Sequence, residues 1–374
     1  MKLFLKLILF IAFSISTYGE KKPKETDLVQ ILIDVKGKGD GNLSAGEAWL
    51  KISSLPPRYI PDLLNAMNQA NPIGDNWIRS AIEKISENSE SSLPVKKILQ
   101  FLEDKSNSGE AREQAFQVLQ SSNKDHAKKL IPTFLKDPTI SLRRKAVSQL
   151  LLNASKETDQ SKKIKLYEKA LENGRDVDQI KLASDALERT GKKVNIQERM
   201  GFVVNWHTVG PFNNEERKGF DVKYKPESSV DFAEKYKGKN GLIKWSQMSS
   251  NDPFGLVDIN QNYGQLKEVL AYAYTEFNSK NEQKAQFRIG SKNAWKLWVN
   301  GELLFARDEY HRGKTRVDQF VIEGKLKKGE NQILVKVCQN EQTQSWTKQW
   351  EFCLRITDKT GTPIHENKKL SYNF

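Results

Sequence analysis

The hydrophobic periodicity of the chain changes near residue 200, and this change is the strongest constraint on the fold. Before residue 200, apolar residues recur every three or four positions, as in amphipathic helices. One such stripe consists of Trp77, Ile78, Ala81, Ile82 and Ile85. After residue 200, β-branched and aromatic runs alternate with Gly, Asn and Asp, which is typical of strands and turns. We therefore expect an α+β multidomain protein, in which a helical-repeat domain (24–195) precedes an antiparallel β-sandwich (200–358) and a C-terminal tail (359–374).

The predicted helices have recognisable ends. Ser44-x-x-Glu47 has the form of a capping box and predicts a helix that runs through Leu55. Gly174 and Gly191 occupy C-terminal cap positions of the last two helices. The helices group as hairpins of roughly 30–40 residues, and such hairpins must stack because one alone cannot bury its apolar face. This arrangement predicts an α-solenoid.

One helical stretch carries a more specific pattern. Residues 135–147 contain L-x-D-P followed by L-R-x-x-A-V, which resembles a HEAT-type repeat. The resemblance implies that Asp137 caps the turn between paired helices and that Arg143 approaches a neighbouring repeat. The helix pair over 158–190 is equally similar to a tetratricopeptide repeat.

The second half of the chain contains eight or nine strand-like runs with short turns, which predict a sandwich or barrel. Asn300-Gly301 separates two of these runs and predicts a tight hairpin turn. The predicted strands are 202–209, 242–248, 268–277, 284–290, 295–299, 302–306, 318–323, 332–338 and 350–357. Strand alternation places Trp298 and Leu304 in the core and leaves Trp295 open to either side.

Three runs in this half resemble a galactose-binding-like jelly roll. They are 294–301 (AWKLWVNG), 320–326 (FVIEGKL) and 328–337 (KGENQILVKV), and a similar pattern occurs in the sugar-binding β-domains of β-galactosidase-type enzymes. Together with 206–212 (WHTVGPF), the arrangement is also similar to secreted bacterial proteins of unassigned function that join HEAT-type repeats to such a sandwich. The resemblance implies a fold more strongly than a ligand, because fold does not fix function.

The N-terminus has the three parts of a signal peptide (1–19). Lys2 and Lys6 are basic, an apolar run of 7–15 follows, and Gly19 precedes the charged residue Glu20. The apolar run is too short to span a bilayer. We expect an exported protein, periplasmic or extracellular, with no membrane span after cleavage; an N-terminal membrane anchor is the alternative.

The net charge of +13 does not indicate a nucleic-acid partner. Residues 20–200 contain 31 basic and 26 acidic side chains, and residues 201–374 contain 27 and 21. The excess is therefore diffuse, whereas a phosphate backbone requires a concentrated basic stripe.

The sequence contains no recognised catalytic or metal-binding constellation. The four histidines have no partner at a metal-ligand spacing, and two cysteines are too few for a Cys-rich zinc site. No G-x-S-x-G motif is present for acyl transfer. We therefore expect no catalytic residues, no metal and no cofactor.

The candidate ligand-binding residues lie in two polar loops of the second half. The loop 339–349 contains Trp346, whose indole face is suited to stacking on a sugar ring, and 307–312 offers donors, acceptors and an aromatic ring. The candidates are Arg307, Tyr310, His311, Arg312 and Trp346. The alternative is an ordinary solvated loop with Tyr310 packed on the rim of the sandwich.

These observations favour a non-catalytic binding or interaction protein. The helical repeats would engage an unidentified protein partner, and the sandwich would bind a carbohydrate. Two alternatives stay open: an enzyme or accessory subunit acting on polysaccharide, and a structural envelope protein without a small ligand.

The two cysteines, Cys338 and Cys353, lie near the ends of the predicted strands that flank the 339–349 loop. By two-residue alternation, each cysteine lies on the more polar of the two faces of its strand. If the strands pair directly, the thiols oppose each other and Lys336 faces Arg355; a slip of two residues separates them. We predict two free, partly covered thiols rather than a disulfide.

Overall fold

The computed structural model describes residues 25–88, 93–311 and 313–367. The predicted signal peptide lies outside the described residues, and so does Arg312. A helical N-terminal part is followed by antiparallel sheets, so the expected α+β class is confirmed. Among the described residues, no helix combines the length and the hydrophobicity needed to cross a bilayer. The chain divides into two compact units, Met1–Lys128 and Lys129–Phe374, so the division falls within the helical part.

The first unit is helical. Its helices are α1 (Glu25–Ile33), α2 (Asn42–Ile52), α3 (Ile60–Met67), α4 (Pro72–Glu87), α5 (Val95–Glu103) and α6 (Gly109–Ser122), and α7 (Lys124–Leu130) spans the division. The side chain of Asn71 caps α4 by accepting hydrogen bonds from the backbone N–H groups of Ile73 and Gly74. A Cβ atom at Gly74 would lie 2.6 Å from the carbonyl oxygen of Leu32, so glycine allows α4 to pack closely on α1.

The expected capping box does not form. Helix α2 begins at Asn42, after Gly41 with a φ of 85°, and no side chain caps it. The left-handed turn at Gly41 starts the helix three residues earlier than the Ser44–Glu47 pattern predicts, because that pattern makes Ser44 the N-cap. Ser44 therefore lies inside the first turn.

The second unit opens with four helices: α8 (Ile140–Lys156), α9 (Gln160–Asn173), α10 (Val177–Glu188) and α11 (Ile196–Met200). Helix α9 ends at Asn173 before Gly174, as predicted. Asp137 accepts a hydrogen bond from the backbone of Thr139, 2.8 Å away, which fixes the turn before α8. Arg143 donates to the carbonyl oxygen of Asp137 at 2.7 Å, so this contact lies within the turn before α8.

Twelve described strands follow, and the predicted strands each overlap at least one of them. They are β1 (Asn205–Asn213), β2 (Lys235–Gly238), β3 (Gly241–Lys244), β4 (Ser246–Ser249), β5 (Val257–Asp258), β6 (Val269–Ser279), β7 (Gln283–Gly290), β8 (Ala294–Val299), β9 (Glu302–Arg307), β10 (Phe320–Leu326), β11 (Gly329–Gln339) and β12 (Glu351–Thr357). A six-stranded sheet has the order β4-β1-β6-β11-β8-β9, and a four-stranded sheet has the order β10-β7-β12-β5. Strands β2 and β3 form a separate hairpin. A short helix, α12 (Asn260–Tyr263), precedes β6.

The inward faces of the two large sheets enclose one hydrophobic core. Trp295, Val335 and Val337 of the six-stranded sheet pack in the same cluster as Phe287 and Leu354 of the four-stranded sheet. Alternate residues of each strand point to this core, as the period-2 pattern predicts.

The turn between β8 and β9 is the predicted Asn300-Gly301 hairpin turn. Both residues have positive φ, 53° and 82°, as the twist of a two-residue hairpin requires.

The outer face of the six-stranded sheet is covered by residues 214–245, which we call the covering segment. Phe220 and Trp245 of this segment pack against Tyr272, Leu334 and other outward side chains of the sheet. Trp298 is buried, as predicted, and it lies in this outer layer rather than between the two large sheets. The outer layer itself was not predicted, because strand alternation was taken to divide each strand between one core face and an exterior face.

Helices α8–α11 belong to the same unit as the sheets and share a hydrophobic cluster with them. Met200 and Ile196 of α11 pack with Phe202 and Cys353, and α8–α10 contribute further apolar side chains to the cluster. Arg355 lies almost fully buried nearby and donates to Asp318 at 2.6 Å through Nε. The helices therefore cover part of the four-stranded sheet.

The two cysteines are free and buried in different layers. Cys338 is on β11 and lies beneath the covering segment, whereas Cys353 is on β12 and faces α8–α11. The prediction of free thiols is confirmed, but their partial exposure is not. The shared sheet face considered from sequence was wrong, because β11 and β12 lie in opposite sheets and do not pair.

Candidate functional site

Three loops meet at one end of the six-stranded sheet, where β1 and β11 end and β6 and β8 begin. They are 291–293, 308–311 and 340–349. The backbone N–H of His311 donates to the carbonyl oxygen of Lys292 at 2.6 Å. The ammonium of Lys292 in turn donates to the carbonyl oxygen of Trp346. Lys292 thus joins both loops that contain the predicted site residues.

Buried polar side chains hold the 340–349 loop in place. The amide of Gln339 donates to the carbonyl oxygen of Thr347 at 2.9 Å, and Lys267 donates to the same oxygen at 2.7 Å. The hydroxyl of Thr347 donates across the loop to the carbonyl oxygen of Gln342 at 2.7 Å. Asn293 donates to the carbonyl oxygen of Gln349 at 3.2 Å. Because Gln339, Asn293 and Thr347 are fully buried, the loop backbone is fixed from the inside.

Trp346 lies at the outer side of this fixed loop, and 63% of it is exposed. It belongs to a short 3-10 helix, Ser345–Thr347, so its backbone is regular. The side chains of Gln342, Gln344 and Lys348 are also exposed around it. The surface combines an apolar ring with amide and ammonium groups.

His311 is half-buried and oriented by the same loop. Its Nε2 lies 3.0 Å from Oδ1 of Asn340, which also accepts the backbone N–H of Gln342 at 3.2 Å. Since that oxygen can only accept, Nε2 carries the proton in the neutral ring. Nδ1 is buried and has no hydrogen-bond partner among the described residues. Burial lowers the pKa of His311, while the contact with Asn340 opposes this shift.

Tyr310 and Arg307 are partly buried and contact other parts of the protein. The hydroxyl of Tyr310 accepts a hydrogen bond from Asn214 at 3.2 Å, and burial raises its pKa. The Arg307 side chain is 10% exposed, donates to Glu309 at 2.7 Å and lies over the ring of Phe320. Of the predicted residues, the structure thus brings His311 and Trp346 together through Lys292, with Tyr310 packed at the margin.

A second polar region lies at the opposite end of the six-stranded sheet, where β1 begins and β4 ends. A cavity of about 340 Å³ is lined here by side chains that include His207, Phe232, Tyr274 and Glu276. The sequence did not predict this cavity. His207 lies in the WHTVGPF run, but nothing in the sequence indicated that Phe232 of the covering segment would lie over it.

An adjoining cavity of about 380 Å³ shares Asn205, Thr275 and Glu276 with the first and continues to Glu198 and Glu366. The two cavities adjoin at these three residues, and we call them together the groove. None of the described lining residues is Lys or Arg, although the chain contains 60 of these. Among the described residues, no group of His, Cys, Asp or Glu is arranged to hold a metal ion.

Comparison with known proteins shows no family. No family model matches the chain, and no curated protein matches it. Solved structures with partial similarity include an anti-sigma factor domain-containing protein, 14% identical, with a TM-score of 0.26 over 44% of this chain and 46% of that one. They also include β-glucosidase from Kluyveromyces marxianus in complex with glucose, 9% identical, with a TM-score of 0.21 over 41% of this chain and 16% of that one.

A selenomethionine-labelled form of the same β-glucosidase is 10% identical, with a TM-score of 0.27 over 79% of this chain and 38% of that one. The chain thus spans less than half the length of each of these proteins. At such TM-scores the similarities support no inference about the function of this chain.

Proposed function

We propose that this chain is an exported, non-catalytic binding protein whose β-region contacts a glycan through the loop surface around Trp346. One observation carries the proposal: an indole that is 63% exposed stands on a loop fixed by fully buried polar side chains. A fixed loop loses little conformational entropy when a ligand binds, so its exposed ring is prepared for contact.

The chemistry of the surface favours a sugar ring. The indole offers an apolar face, and the exposed Gln342 and Gln344 amides can both donate and accept hydrogen bonds to hydroxyl groups. Lys348 adds a donor beside them. A sugar presents the complementary combination of an apolar ring face and a rim of hydroxyls.

The fold resemblances form the second part of the proposal. We infer that the helices form HEAT-type repeats and that the two large sheets form a galactose-binding-like jelly roll. The turn fixed by Asp137 and the buried position of Arg143 support the first inference. The six- and four-stranded antiparallel sheets around one core support the second.

The helical part is proposed to engage a protein partner. Leu43 and Leu50 lie seven residues apart on one face of α2 and are 89% and 66% exposed. Two exposed leucines on one helical face give an apolar surface of the kind that protein partners bury.

Export is proposed from the pattern of 1–19. Mass spectrometry of the protein from its native envelope fraction should show a new N-terminus near Glu20. An intact Met1 in that fraction would contradict export by cleavage.

The glycan proposal is tested with Trp346→Ala. A glycan array of the purified protein identifies a ligand, and calorimetric titration measures its affinity for the variant. We expect a loss of about 1–3 kcal/mol, the cost of removing an aromatic hot spot. Trp346→Phe should keep most of the affinity because it keeps a stacking ring.

Phe305→Ala is the matched control, since Phe305 is a partly exposed ring on β9. It should leave affinity unchanged. Equal affinity of the original protein and Trp346→Ala would remove this surface from the proposal.

A further inference from the structure

We infer that the groove beside His207 and Phe232 is a second binding site, which takes a neutral saccharide. This inference is independent of the site proposed around Trp346, because the two lie at opposite ends of the six-stranded sheet. The first cavity of the groove has a volume of about 340 Å³, within the range of small-molecule sites.

One wall of the cavity is aromatic. Phe232 is 45% exposed, and its ring centroid lies 4.4 Å from that of His207 and 5.7 Å from that of Tyr274. Phenylalanine has no polar atom that would gain from this exposure. Its ring therefore offers an apolar surface beside the cavity.

The loop that carries Phe232 is held in position. The carboxylate of Asp231 accepts the backbone N–H of Ala233 at 2.9 Å, and its carbonyl oxygen accepts the hydroxyl of Tyr236 at 3.1 Å. Tyr236 in turn accepts the indole N–H of Trp245 at 3.1 Å. The ring is thus placed before any ligand arrives, as an efficient binding site requires.

The floor of the cavity is a row of hydrogen-bonding groups on adjacent strands. Ser249 of β4 faces Asn205 of β1, and its hydroxyl donates to Oδ1 of Asn205 at 2.8 Å. His207 faces Tyr274, so the same antiparallel register places Asn205 opposite Glu276 of β6. The hydroxyl of Tyr274 donates to Glu276 at 3.1 Å and orients the carboxylate.

This row can both donate and accept. The amide nitrogen of Asn205 is a donor, Glu276 is an acceptor, and the exposed amide of Gln247 serves as both. A saccharide ring carries hydroxyls that donate and accept in the same way and a face of C–H bonds that matches an aromatic wall. The cavity offers both features side by side.

The charge of the groove selects against anions. Glu198, Glu276 and Glu366 line it, and its described lining residues include no Lys or Arg in a chain of net charge +13. A sulfated or phosphorylated glycan would meet these carboxylates without a compensating charge. A neutral chain of two or three sugar units can follow the groove from the aromatic wall towards Glu198.

The test uses the full chain and calorimetric titration with neutral trisaccharides of glucose, galactose and mannose, and with a sulfated trisaccharide. We expect at least one neutral probe to bind and the sulfated probe to bind more weakly. Phe232→Ala and Glu276→Gln should each weaken the neutral interaction about tenfold or more, as loss of a ring contact or of a charged acceptor does. Phe305→Ala should not change it.

Each contrary result has one meaning. Failure of every neutral probe to bind, or unchanged affinity in both groove variants, overturns the inference. Loss of affinity in Trp346→Ala alone also overturns it and leaves the proposed function in place. Loss in the groove variants alone supports the inference, and the Trp346 surface is then judged separately with the ligand from the glycan array. Thermal melting of each variant checks its folding, and Glu276→Gln, which preserves side-chain shape, decides the matter if Phe232→Ala unfolds.

Discussion

At the scale of single residues, Lys336 shows how a charge is accommodated inside this protein. Its side chain is fully buried and donates to the carbonyl oxygens of Phe220 and Val222 at 2.9 and 2.8 Å and to Glu227 at 2.9 Å. Tyr272 also donates to Glu227, at 2.5 Å. The three acceptors of Lys336 all belong to the covering segment, so this lysine connects that segment to β11 through three hydrogen bonds.

Replacing Lys336 by Met should destabilise the protein strongly. The variant leaves Glu227, whose side chain is only 9% exposed, without its cation and two carbonyl groups without a donor, and breaking such a pair costs about 3–5 kcal/mol. Urea unfolding measures the change in free energy of unfolding. Lys328→Met removes an exposed lysine and serves as the control. A change in Lys336→Met no larger than in this control would show that Lys336 does not hold the segment.

The candidate site was only partly predictable at this scale. The polar composition of 339–349 indicated that Trp346 would be exposed, and it is. Packing of Tyr310 was expected only as an alternative. The ring under Arg307 belongs to Phe320 and the partner of Tyr310 is Asn214, and no local pattern could identify either residue because both are distant in sequence. The groove depends in the same way on contacts between Phe232 and two other strands.

At the scale of elements, strand positions followed from local patterns, whereas strand partners did not. The period-2 runs and Asn300-Gly301 located the β8–β9 hairpin. The sequence analysis considered direct pairing of β11 with β12, but the two strands lie in different sheets. The ten-residue loop 340–349 is long enough either to join two strands of one sheet or to cross between sheets, so its length did not distinguish the two. The covering segment has few runs with strand or helix periodicity, so the sequence did not indicate that it packs on a sheet face.

The placement of the cysteines in opposite layers makes a prediction about thiol reactivity. Burial raises the pKa of both Cys338 and Cys353 to about 12, and neither side chain is exposed to a reagent. The native protein should therefore show no reactive thiol at neutral pH. After unfolding without reductant, a colorimetric thiol assay should count two. A count of zero after unfolding would mean that the cysteines form a disulfide, contrary to their positions in different sheets.

At the scale of the whole molecule, the sheets and the helices α8–α11 form one compact unit. The shared cluster contains Met200, Phe202 and Cys353 together with side chains of α8–α10. A fragment that starts at residue 200 would expose this apolar surface to water. One that starts at residue 129 would keep it covered.

We therefore expect the fragment 129–374 to unfold in one cooperative transition and the fragment 200–374 to melt at least about 10 °C lower, since the lost burial amounts to several kcal/mol. Differential scanning calorimetry of both fragments measures the two midpoints. Equal midpoints would show that the sheets do not depend on α8–α11 for their stability.

The central claim is that the exposed indole of Trp346 is held in position by its loop and contacts a glycan directly. Observing the indole itself tests this claim. The chain has eight tryptophans, and comparison with Trp346→Phe assigns the Trp346 indole N–H signal in a nitrogen–proton correlation spectrum. On titration with the strongest ligand from the glycan array, the account predicts that the Trp346 signal shifts in a saturable manner. A ligand that binds in the same titration while this signal stays fixed would contradict the claim.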